Sequence, residues 1–241
     1  MTITMGSGPF GHRPAGILNF EPPEHMTLVE PVPRRIRGVS GGATVVDSER
    51  AMLVYQSRQL PHYAFPQEDV STGGQPEALV EGYVTVPWGD LDEWFEEDEK
   101  VIVHPRDPYH RIDTFATSRQ VRVSLDGHVL AESDEVKALF EAGLPVRYYF
   151  PFHEVRLEHL VASDTVTQCA YKGTATHWSA RFGDMVHPDV AWTYEGDSVQ
   201  RDAEAVRGRI CFYNERTDIE VDGLAQARPQ TPWSRSAVEG P

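Results

Sequence analysis

Apolar and polar residues alternate at Val121, Val123 and Leu125, break at Asp126-Gly127, and resume at Val129-Leu130. A period of two on either side of an Asp-Gly pair predicts a β-hairpin. Ser133 follows, and Val136, Leu139 and Phe140 then fall on one side of a helical wheel before Gly143. That spacing predicts a short helix capped by Ser133 and stopped by the glycine. Leu144-Pro145 and an aromatic run closed by Phe150-Pro151 complete the pattern.

The same pattern occurs 85 residues earlier. Arg37 falls on Arg122, Gly42 on Gly127, Ser48 on Ser133, Tyr63 on Tyr148 and Pro66 on Pro151, and Leu60-Pro61 matches Leu144-Pro145 with a one-residue slip. Ser48 predicts a second short helix, carrying Met52, Leu53 and Tyr55. Self-similarity at a fixed offset is the mark of an internal duplication. After Phe-Pro the copies diverge. Copy one reaches Gly82-Tyr83-Val84-Thr85-Val86-Pro87 about forty residues sooner than copy two reaches Gly208-Arg209-Ile210-Cys211-Phe212-Tyr213. The expected organisation is an N-terminal extension (1–33), a truncated first repeat (34–100), a connector (101–118), a complete second repeat (119–223) and a C-terminal tail (224–241). The expected fold is mainly β with a minor α part: two β-rich units, each with a short helix.

Composition narrows the function classes. Apolar residues make up 40% of the 241 and charged residues 24%, enough for a packed core. The net charge of −15 lacks the cationic footprint that nucleic acid demands, and an anionic membrane surface would repel it. No apolar run is long enough to span a bilayer, and residues 1–20 lack the pattern of a signal peptide. Cys169 and Cys211 do not make a disulfide framework, which favours reduced thiols in a cytoplasm. A homo-oligomer is compatible with all of this.

Only copy two contains Ser163-Asp164-Thr165-Val166-Thr167-Gln168-Cys169-Ala170-Tyr171-Lys172-Gly173, followed by His177-Trp178 and then by Ala191-Trp192-Thr193-Tyr194. With the Gly-x-x-x-Phe-Tyr segment at 208–213, these motifs resemble those of domain-of-unknown-function family 427, which also carries a nucleotidyltransferase-like label. The resemblance covers roughly 119–223 well and 34–99 partially. The joining motif Arg106-Asp107-Pro108-Tyr109-His110-Arg111-Ile112-Asp113 is similar to that of tandem two-copy members. The resemblance implies a β-tent-like fold and no established activity. Some β-tent relatives hold zinc with paired Cys-x-x-Cys motifs; none occurs here, so no metal and no other cofactor is implied.

Each candidate residue has a functional and a plainer reading. Lys172 suits an anionic or carbonyl ligand, or a nucleophile if desolvated; otherwise it is a solvated strand-edge lysine. Cys169, the second catalytic candidate, is otherwise a small buried hydrophobe. Trp178, Trp192, Tyr194 and Tyr213, with Tyr171, are either pocket walls or core. Asp164, Thr165 and Thr167 form a polar rim or a turn. His110 and Arg111 offer acid–base or anion-binding chemistry, or belong to an Arg–Asp network. His153, His159 and His177 have no metal-ligand spacing. Gly89-Asp90-Leu91-Asp92 has the Asp-x-Asp form of nucleotidyltransferases, but it opens a run, Asp90 to Glu99, in which seven of ten residues are acidic, as on a solvated face. The reading is a cytoplasmic small-molecule enzyme of undetermined reaction, with Lys172 as polar anchor in copy two. The alternatives are a non-catalytic binding module and a structural or interaction protein; nucleotidyltransferase activity rests on the family label alone.

Overall fold

The alternating segment at Val121 forms the hairpin its pattern predicts. In a computed structural model, which describes residues 3–6, 8, 10, 11 and 16–234, the chain divides into two units, 1–111 and 112–241. Both are built of antiparallel sheets, and the helical pieces among the described residues are 3-10 turns of three to six residues.

Unit 1 contains β1 (Thr27–Pro31), β2 (Ile36–Ser40), β3 (Ala43–Ser48), β4 (Met52–Gln56), β5 (His62–Pro66), β6 (Gln75–Pro76), β7 (Tyr83–Thr85), β8 (Glu93–Glu96) and β9 (Glu99–Val101). One sheet has the order β1-β4-β5-β7-β6 and the other β3-β2-β8-β9. Ile36, Val46, Leu53, Tyr55, Phe65 and Trp94 form its core.

Unit 2 contains β10 (Ile112–Ala116), β11 (Val121–Leu125), β12 (His128–Ser133), β13 (Lys137–Glu141), β14 (Arg147–Pro151), β15 (Leu160–Cys169), β16 (Gly173–Phe182), β17 (Met185–Tyr194), β18 (Arg209–Phe212), β19 (Asp218–Val221) and β20 (Leu224–Ala225). Its large sheet runs β10-β13-β14-β18-β17-β16-β15 and its small one β12-β11-β19-β20. Val121, Val123 and Leu130 of the small sheet meet Phe150, Ile210 and Phe212 of the large one in an apolar layer.

The units share their pairings. Ile36 pairs with Ser48 as Val121 pairs with Ser133, and each hairpin carries a bulge at the equivalent place, Gly38/Val39 and Val123/Ser124. Both turns, Gly41-Gly42 and Asp126-Gly127, have positive φ at two successive residues, as type I′ turns require. The bridge Val46–Val70 recurs as Ala131–Val155. The units differ at one sheet end, where unit 1 has the two-residue β6 and unit 2 has three ten-residue strands.

The two short helices expected after Ser48 and Ser133 are strands. Ser133 Oγ accepts from the Glu135 N–H (2.8 Å) and Ser48 Oγ from the Arg50 N–H (3.1 Å), which makes a turn instead of a cap. The chain then enters β13 and β4, each paired on both sides. A helix this short is marginal in water, whereas a central strand gains ladder bonds on two edges. Val136, Leu139 and Phe140 consequently do not form one apolar stripe. Val136 lies in the inter-sheet core, Leu139 on the other face of the large sheet, and Phe140 is exposed.

Candidate functional site

Residues directly opposite in an antiparallel ladder point to the same face. Across the large sheet of unit 2, Lys137, Tyr149, Cys211, Trp192 and His177 are successive partners, so they form one row. Tyr194, Ala175 and Thr167 form the next. This face packs against Val199, Ala203 and Val206, which come from the segment between β17 and β18 that holds two 3-10 turns. The opposite face holds the row Phe212, Ala191, Trp178, Ala162. Trp178 therefore does not join Trp192 and Tyr194. It sits against the inter-sheet core, with its ring centroid 6.1 Å from Phe152. One residue of register separates the two tryptophan environments.

The β15–β16 hairpin closes with Cys169 opposite Gly173, and its turn carries Tyr171 and Lys172. Gly173 has φ +99°, and a Cβ there would stand 1.9 Å from the Ser198 carbonyl oxygen. Only glycine permits this backbone approach. Gln200 N–H donates to the Lys172 carbonyl at 3.2 Å, so the turn is docked on the segment that covers the face. Tyr171 is buried. Lys172 is 8% exposed, and its Nζ donates to Glu141 Oε2, a buried carboxylate on β13. The solvated strand-edge lysine is thus replaced by a buried ion pair, and Cys169 is a partly exposed free thiol at the hairpin end.

A second buried pair stands on the same face. Arg147, 5% exposed, makes a two-point bond with Glu215 (2.7 Å each) and donates to Asn214 Oδ1 at 2.9 Å. Its guanidinium carbon lies 5.5 Å from the Trp192 ring centroid and 5.8 Å from that of Tyr213. Burial works to raise the Glu215 carboxyl, but the bonds and charge of Arg147 outweigh it, and the pKa lies below the ordinary range. Trp192 Nε1–H donates to Tyr149 Oη (3.2 Å) and packs edge-on against that ring. Burial raises Tyr149, Tyr194 and the Cys211 thiol far above their usual values, and pushes Tyr213 up to about 12. These are neutral groups near pH 7.

His177 is 3% exposed. Its Nε2 is hydrogen-bonded to the Thr167 hydroxyl at 2.9 Å, while its buried Nδ1 has no partner among the described residues. Burial lowers its pKa; Asp189 pulls it up and Arg216 pushes it down. An orphaned polar atom of this kind costs about 1–3 kcal/mol. Asp164 is exposed on β15, outside this cluster. His110 and Arg111 fall in unit 1, where the His110 N–H donates to the Asp107 carbonyl (3.1 Å). Asp92 of the Asp-x-Asp segment accepts from the Gly41 N–H (2.7 Å), a turn-bracing role. Among the described residues no three His, Cys, Asp or Glu side chains are grouped to hold a metal.

Residues 113–223, which lie within unit 2, match the family described as a domain of unknown function, DUF427. Over these residues the chain is similar to that family. It matches no curated protein. The face just described lies within the matched residues. Sequence reasoning passed over Glu141, Arg147, Tyr149 and Glu215 there. The available signal was an arginine inside the apolar run Val146-Arg147-Tyr148-Tyr149-Phe150, a charge that burial must pair.

Proposed function

We propose that the DUF427-like region binds a small anionic or carbonyl-bearing molecule on the covered face of its large sheet, anchored by Lys172. The observation that supports this is the buried Lys172–Glu141 pair, with Glu141 close enough to Tyr149 and Tyr194 to act on their ionisation and the Lys172 carbonyl bonded to Gln200. A buried ion pair contributes little net stability compared with apolar residues of the same size. This face carries two such pairs and an imidazole with one unpaired nitrogen beside aromatic rings, a combination suited to recognition. Binding ranks ahead of catalysis because Lys172 is already held by a carboxylate, as a positioned charge. A second reading, an enzyme of undetermined reaction, is favoured by Cys169, a free thiol close enough to Tyr194 to act on its ionisation. We further propose that the two units descend from one by duplication, with unit 1 as scaffold, and that the protein works in a cytoplasm, where free thiols are the rule.

Native mass spectrometry of freshly purified protein tests the binding reading. The expected result is a co-purifying small molecule that is lost from Lys172→Gln/Glu141→Gln, a variant that removes both charges together. A ligand retained by that folded variant, or none in the wild type, would remove Lys172 as anchor.

A further inference from the structure

Around Tyr213 the face gathers features that the Lys172 pair does not use. The Arg216 guanidinium stands 4.5 Å over the Tyr213 ring, and the His177 ring stacks on it at 6.3 Å and 20°. Arg147 lies against the same ring and against Trp192. The C-terminal segment comes to this place. The Trp233 indole lies 6.0 Å from the Arg147 guanidinium carbon, and the Trp233 carbonyl accepts from Arg216 Nε at 3.2 Å. Thr231 Oγ1 donates to Glu215 Oε1 at 2.6 Å, the carboxylate that also holds Arg147. His177 Nδ1 and Asp189 Oδ1 are both buried and have no hydrogen-bond partner among the described residues, and Asp189 lies close enough to His177 to act on it.

We propose that Trp233 is a resident occupant of a binding site for a planar aromatic carboxylate, and that the C-terminal segment withdraws when such a ligand enters. The segment presents an indole and one acceptor oxygen to two guanidinium groups, which is the outline of that ligand class. Guanidinium planes stack on aromatic rings and bind carboxylates at two points, so a carboxylate in place of the Trp233 carbonyl makes a stronger, charge-assisted contact with Arg216. A ligand that carries a ring N–H, as an indole does, also offers a donor to the unpaired Asp189 Oδ1. The segment is easily released. Trp233 is only half-buried, Pro229 and Pro232 add no backbone N–H, and the named bonds are few. Because the occupant is tethered, it competes at high effective concentration, and the intact chain binds its ligand weakly.

The inference goes beyond the Lys172 reading and uses neither member of that ion pair. Isothermal titration with indole-3-acetate, which reproduces the Trp233 ring and adds a carboxylate, tests it on the full chain. Trp233→Ala is expected to bind the probe at least about tenfold tighter than wild type, and Trp233→Ala/Arg216→Gln to lose that gain. Thr231→Val, which leaves every ring in place, is expected to show a smaller gain and serves if Trp233→Ala folds poorly. Equal affinity of wild type and both tail variants, or a gain that survives Arg216→Gln, would overturn the proposal. The gain should persist in the Lys172→Gln/Glu141→Gln background; its loss there would move the ligand to the ion pair and defeat this inference alone.

Discussion

A charge inside a protein is judged by what it leaves behind when removed. Lys172→Met takes the ammonium from the buried Glu141 carboxylate, so it should destabilise unit 2 by on the order of 3 kcal/mol. Adding Glu141→Leu should restore most of that loss. Chemical denaturation of the three proteins measures both; a single variant as stable as wild type would mean that the pair is solvated. His177 makes the corresponding pH statement. Its folded pKa is depressed by burial, so between that value and the unfolded value of about 6.5 the unfolded chain holds the extra proton. The stability linked to His177 is therefore present above about pH 6.5 and lost as the pH falls through the folded pKa. His177→Gln should flatten the melting-temperature profile between about pH 7 and 5, and a profile as steep as wild type would assign the slope to other groups. Glu215, also depressed, acts lower still, below the ordinary carboxylate range.

At the scale of elements, register decides which aromatic does what. Trp192→Ala should weaken ligand binding and also cost about 3–5 kcal/mol, whereas Trp178→Ala should lower stability and leave affinity unchanged. Calorimetric titration beside thermal melts separates the two, and equal affinity losses would contradict the assignment of faces. Trp192 and Tyr194, two apart on one strand, were legible in the sequence as a pair on one side. Trp178 was not, because its side depends on which residue of β17 stands opposite, and that is a long-range fact. The β11–β12 hairpin was legible from alternation and from Asp126-Gly127. The strand β13 was not. Val136, Leu139 and Phe140 have helical spacing, and a strand in the middle of a sheet is apolar on both sides, so it shows no period of two. Lys172 was legible as a candidate, but Glu141, the partner that defines the lysine, lies 31 residues away.

At the scale of the whole molecule, the units make one pairing at very different separations along the chain. In unit 1, β5 meets β7 across residues 67–82; in unit 2, β14 meets β18 only after residues 152–208, with the long strands β15 to β17 in between. The consequence concerns time. The longer connection adds about 1 kcal/mol of loop-closure entropy before the strands can reward it, and non-local pairing of this kind slows folding. In the intact chain, β5 and β7 should gain protection from hydrogen exchange before β14 and β18 during refolding. Pulse-labelling with mass spectrometry reads this order directly, and simultaneous protection of both pairs would show that β15 to β17 fold early enough to bring the flanking strands together. The long strands β15 to β17 would then also make unit 2 the last part of the chain to become native, and the part most exposed to aggregation on the way there.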